Sequence, residues 1–174
     1  MQPRSLALAL VLIIAAALAP TDAWATQPGL EPFERIPAAG AGPDGTEFLG
    51  TLDVLHFEAR GADLVAVGTL SGRVTRTVGA AAVTLATLDE APVRVPVRGV
   101  TATCERLDLV FGPLPLDTHG PAVAIDPIRV DGTTRPQDGG WPERELCAIA
   151  DWLRGDADPR ALAGLLDAVA RSFG

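Results

Sequence analysis

Reactive side chains are scarce in this chain, and their spacing decides what chemistry it could host. Nucleophilic hydrolysis needs a Ser, Cys or Thr beside a base. Beyond residue 25, serine occurs only at Ser71 and Ser172. Ser71 sits in Thr69-Leu70-Ser71-Gly72-Arg73, which lacks the glycines two residues on either side of the serine that a nucleophile elbow requires. It reads as a strand-end serine, and Ser172 as a surface residue in the last turn of a terminal helix. A triad of Ser71, His56 or His119, and an aspartate can be written down, but no spacing selects it. His119 lies two residues after Asp117, with Asp126 on the next strand and His56 elsewhere. There is no HExxH and no Cys/His quartet to suggest zinc. Asp131, Asp138, Asp156 and Asp158 lie near glycines without the spacing of a calcium loop, so they read as solvated turns.

Glycoside hydrolysis needs two carboxylates, and composition cannot select a pair. Sugar sites are commonly lined with aromatic rings. Here Tyr is absent, and Trp141 and Trp152 fall at the helical end, where they are expected to pack helices onto strands. Arg154-Gly155-Asp156 spells an adhesion tripeptide, but its local reading is a helix end followed by the approach to a new N-cap. No catalytic, cofactor-binding or metal-binding residue is therefore assigned, and no cofactor is expected.

The N-terminus carries a different signal. Arg4 precedes an unbroken apolar run from Leu6 to Ala19, and Pro20 breaks it. The run has the length of a signal-peptide core and is short for a membrane span. Ala23-Trp24-Ala25 places small residues at the −3 and −1 positions, so cleavage is expected between Ala25 and Thr26. Removing the first 25 of 174 residues leaves 149, enough for one domain with a sizeable core. No later run is long enough to span a bilayer, so the processed chain is expected to be soluble and secreted or periplasmic.

The net charge is −8, and cleavage removes one Arg and one Asp, leaving it unchanged. An acidic chain with scattered basic residues does not suit nucleic acid or an anionic membrane surface. A cell-envelope protein or a small apolar ligand remains as the partner class, and the oligomeric state stays open. Lys and Asn are absent as well as Tyr. This points to a GC-rich, bacterial genome, and it removes Schiff-base lysines and N-glycosylation sequons.

Residues 26–45 are rich in Pro, Gly and Ala with no clear period, and read as a flexible linker. Residues 46–174 form the expected single domain. Phe48–Glu58 and Asp63–Val74 read as strands flanking a hairpin turn at Arg60-Gly61-Ala62. Residues 79–90 are ambiguous between strand and loop. Pro92 to Arg98 alternates Val with Arg or Pro, and its prolines predict a sheet edge. Cys104–Phe111 places Leu107, Leu109 and Phe111 on one face. Gly112-Pro113 bends the chain before Leu114 and Leu116, and Val123–Val130 is a strand interrupted at Pro127.

Helical spacing follows. Leu146, Ile149, Ala150 and Leu153 share one face. Asp158 and Pro159 form an N-terminal cap signal. Leu162, Leu165, Leu166, Val169 and Phe173 make an apolar stripe, with Asp167 and Arg171 as an i, i+4 pair opposite. Strands first and helices last predict an α+β fold: a curved antiparallel sheet, sandwich- or half-barrel-like, covered by two C-terminal helices.

Three stretches carry a resemblance: GTLDVLHFEARGADLVAVGTLSG (50–72), CERLDLVFGPLPLD (104–117) with VAIDPIRVD (123–131), and ELCAIADWL (145–153). They resemble a loosely defined group of uncharacterised secreted bacterial proteins with no assigned activity. The resemblance implies export, strand-then-helix order and a cysteine pair, and nothing about catalysis. The chain departs from that pattern at Thr118-His119 and around Glu143.

Cys104 and Cys147 are the only cysteines. Export would take them to an oxidising compartment, so a disulfide between them is expected, tying the first helix to the strands. The function read from the sequence is a non-enzymatic exported structural or binding module. The alternatives are a carrier of a small apolar ligand and a hydrolase whose acid–base pair only the fold assembles. An enclosed apolar pocket would favour the carrier; a cleft holding His56 or His119 against a carboxylate would favour the hydrolase.

Overall fold

Ile36, Ala38 and Gly40 are buried while Pro37, Ala39 and Ala41 are exposed, and this alternation makes Ile36–Ala41 the first strand, β1. A computed structural model of the chain describes residues 33–116, 122–134, 141–155 and 158–173. The expected signal peptide, its cleavage site and the start of the expected linker lie outside these residues. The rest of that linker is corrected by β1. Both faces of β1 are built from Ile, Pro, Ala and Gly, so it alternates in burial without alternating in polarity.

The strands that follow are long. β2 spans Thr46–Arg60, β3 Asp63–Val78 and β4 Ala81–Ala102. Two-residue turns join them, each opening with a glycine at positive φ, Gly61 at 64° and Gly79 at 63°. Residues 79–90, ambiguous in the sequence, are thus resolved: Ala81 onward belongs to β4. β5 (Arg106–Phe111), β6 (Leu114–Leu116), β7 (Val123–Ile125) and β8 (Ile128–Thr133) complete an eight-stranded antiparallel, curved, open sheet in the order β6-β7-β1-β2-β3-β4-β5-β8.

The strand expected over Val123–Val130 is therefore two strands. Pro127 separates β7, which pairs with β1 and β6, from β8, which pairs with β5 at the other end of the order. Gly112-Pro113 does the same between β5 and β6. One hairpin, bent at both bends, joins the two ends of the sheet. Gly40 permits the closing contact: a Cβ there would collide with the Ala124 carbonyl of β7.

The proline-bearing strand needs a further correction. β4 lies inside the sheet order, between β3 and β5. Its two halves use different neighbours, however. Residues 81–96 pair with β3, whereas β5 joins only from Val97 onward. Pro92 therefore sits where β4 has one partner, and a missing N–H costs no ladder bond there.

Two helices cover the sheet: α1 (Glu143–Leu153) and α2 (Pro159–Arg171). Leu146, Ile149 and Ala150 of α1 and Leu162, Ala163, Leu166 and Val169 of α2 are buried. The Asp158 side chain caps α2 by accepting from the Arg160 N–H at 3.1 Å, with Pro159 at the first helical position. These faces join Phe48, Leu52, Leu70, Leu107, Leu109 and Phe111 in one core. Trp141 packs edge-to-face on Phe33 and Phe173, linking the N-terminal segment to the end of α2. Trp152 is half-buried against the same core.

Candidate functional site

Each reactive side chain singled out above can be followed to its place in the fold. The Ser71 Oγ accepts a hydrogen bond from the Glu90 N–H at 3.0 Å. The β3–β4 register slips between Leu70 and Gly72, and Glu90 adopts a φ of 46° there. Ser71 thus holds an irregular stretch of backbone together. Ser172 donates from Oγ to the Val169 carbonyl at 2.6 Å, finishing α2.

His56 sits at a bulge in β2, where the pairing with β3 shifts between Val54 and His56. Leu55 and His56 both face solvent there. Among the described residues no carboxylate lies within hydrogen-bond or ion-pair reach of His56. His119 and Asp117 lie outside the described residues. Asp126 is exposed, and its backbone N–H is committed to the Ala39 carbonyl at 2.9 Å. Among the described residues no group of three or more His, Cys, Asp or Glu side chains could hold a metal ion.

The cysteines are joined. Cys104 and Cys147 form a disulfide across 43 residues, with their Cα atoms 4.1 Å apart. Cys104 lies in the turn before β5. That turn is held by the Thr103 Oγ, which accepts from the Glu105 and Arg106 N–H groups. The bond pins α1 to the sheet at the β4–β5 connection.

Charged groups form short surface ladders. Glu58 accepts from Arg60 at 2.7 Å, and Arg94 approaches to 3.4 Å. The hydrogen bond from Arg60, helped by both positive charges, holds the Glu58 carboxyl below the usual carboxylate range despite some desolvation. Arg106 bridges Asp108 at 2.8 Å and Asp131 at 3.5 Å, and the hydrogen bond to Asp108 pushes its guanidinium pKa up. These groups are exposed, and such pairs contribute little to stability in water. Arg154 folds back onto Asp151 and the Ala150 carbonyl of its own helix, which corresponds to the helix-end reading of Arg154-Gly155-Asp156. Asp156 is outside the described residues.

Two spaces decide between the ligand readings. Inside the curve of the sheet, Leu52, Leu70, Val95, Phe111 and Ile125 close around a space too small to admit a water molecule. Beside it, an open groove of about 270 Å³ runs between β4 and β6, lined by Leu70, Leu88, Pro92, Val93, Leu114 and Leu116. This groove is the seam where the curved sheet does not close. Sequence reasoning missed it, because it depends on β4 and β6 ending up side by side.

Among the described residues no helix is long and apolar enough to cross a membrane. The disulfide fits an oxidising, extracytoplasmic location. No protein-family model, no curated protein and no solved structure matches this chain.

Proposed function

We propose that this chain is a non-enzymatic exported module, secreted or periplasmic, that acts structurally or by binding through its surface. The observation that carries this reading is the filled interior. A carrier encloses its ligand in a cavity of several hundred Å³, and here the space among Leu52, Leu70, Val95, Phe111 and Ile125 has no room for a water. Support comes also from the hydroxyls and thiols, because Ser71, Ser172, Cys104 and Cys147 are all engaged in holding the fold. Export itself is supported by the apolar run at Leu6–Ala19, the Ala23-Trp24-Ala25 pattern and the disulfide.

Native mass spectrometry of the exported protein tests this. The expected mass is that of the chain beginning at Thr26 with one disulfide and no small adduct. A stoichiometric apolar adduct would overturn the reading in favour of a carrier. The open groove between β4 and β6 favours that second reading, and Val93→Arg should then abolish the adduct.

A further inference from the structure

Thr77 to Leu88 is a run of twelve residues without a charge, in a chain where 21% of residues are charged. The fold places this run on an arm. β2 accompanies β3 only as far as the Thr46–Arg76 pair, so beyond Arg76 the β3–β4 hairpin continues alone. Val78, Val83 and Leu85 are among the few large apolar side chains left exposed, at 60%, 45% and 40%. Val78, Ala81 and Val83 continue the face that is core at Val74, and Leu85 is the extra residue where the register shifts between Val74 and Thr75. The outer edge of β4 over this run has no strand beside it among the described residues. Strand edges in native proteins are ordinarily blunted by charge, proline or cover. Ala81–Leu88 has no charge and no proline.

The geometry points to this edge as the interface for a second copy of the same chain, with β4 pairing antiparallel to β4 across a two-fold axis at Val83. The unpaired backbone groups call for an extended strand as partner. The composition of the arm suits a strand better than a membrane surface, since the tip from Thr77 to Leu88 carries no aromatic ring and no basic residue to anchor in an interface. Charge permits self-pairing at this edge. Each copy carries a net charge of −8, which opposes contact elsewhere, whereas along a strip without charges two copies meet with no like-charged side chains set opposite each other. With Val83 opposite its own copy, Ala82 faces Thr84, Ala81 faces Leu85 and Ala80 faces Ala86. Pairing ends before Asp89 and Glu90 come opposite anything. The two-fold sets the exposed Val83 side chains against each other, a β-branched pair of the kind that stabilises sheets. This inference goes beyond the functional reading above and does not rest on it.

The test is the mass of the chain from Thr26 in solution, by light scattering and sedimentation, at concentrations up to about 100 μM, the upper range for a standing weak dimer. A dimer is expected. Val83→Lys should weaken it on the order of tenfold or more, by setting two like charges directly opposite each other on the axis. Leu55→Lys changes a still more exposed apolar residue far from the arm and should leave the dimer intact. Val83→Cys should cross-link to its own copy under mild oxidation, because directly opposed Cα atoms lie within disulfide reach. A circular-dichroism melt of each variant confirms that it is folded. A monomeric wild-type chain, a dimer indifferent to Val83→Lys, or a folded Val83→Cys dimer that does not cross-link would each overturn the inference.

Discussion

The Asp167 carboxylate on α2 accepts a hydrogen bond from the backbone N–H of Phe57 in β2, at 2.7 Å. β1 covers the outer edge of β2 only from Glu47 to Leu52, so the next stretch of that edge needs other partners. Asp53 accepts from the Arg35 N–H, the Phe33 carbonyl accepts from the Val54 N–H, and Asp167 serves Phe57. The sequence suggests an Asp167–Arg171 pair on the outer face of the helix. The structure corrects this: Asp167 turns to the sheet, because an unpaired, part-buried N–H costs more than a solvated ion pair returns.

Asp167→Ala should therefore destabilise the protein by about 1–3 kcal/mol, the cost of leaving a buried donor unpaired. Asp167→Asn keeps a carbonyl acceptor and should cost less. Urea unfolding of the three proteins measures both, and equal stability of Asp167→Ala and wild type would refute the role assigned to this contact.

The Cys104–Cys147 bond should block alkylation. In denaturant without reductant the intact mass should not change, and after reduction it should rise by two alkyl groups. The chain-entropy model gives about 4 kcal/mol for a closed loop of this size. The double substitution of both cysteines by serine should lower the unfolding free energy by an amount of that order.

Truncation after Gly155 removes α2 and uncovers the sheet. Leu162, Leu166 and Val169 are each at most 5% exposed. Burial of such a side chain stabilises by about 1.5–3 kcal/mol, against a typical total of about 5–15. The truncated chain should be unfolded or aggregated; a cooperative melt near that of the intact protein is the contrary result.

Glu58 should titrate below the ordinary glutamate range in carbon-detected NMR, and Arg60→Gln should return it upward. The sign for stability follows. The folded pKa is lower than the unfolded one, so this contribution is complete above the unfolded value and fades as pH falls through the folded value. In Glu58→Gln that part of the acid dependence should disappear.

Much of the architecture was legible in the sequence, for identifiable reasons. Leu107, Leu109 and Phe111 alternate apolar with polar or smaller residues, and all three are fully buried. The helices carried stripes and, at Asp158-Pro159, a cap. β1 was hidden because Ile36–Ala41 contrasts in burial without contrasting in polarity. The split of β7 from β8 was legible as an interruption at Pro127 but not as a change of neighbours, since pairing partners are set by the whole sheet. The β4–β6 groove and the uncovered arm are properties of what lies next to what. The uncharged run Thr77–Leu88 was the one signal that could have drawn attention to the arm.

The bent hairpin that joins both ends of the sheet also predicts an order of folding events. The β2–β3 and β3–β4 hairpins can zip outward from Gly61 and Gly79 as soon as those residues are free to turn, because their contacts are local. β1 must wait for its outer neighbour until Ile125 has arrived opposite Gly40. Contacts so distant along the chain require the entropy of a large loop to be overcome first, which slows their formation. The chain is thus expected to fold first as a meander with an open end, which β5, β6, β7 and β8 then complete as a clasp.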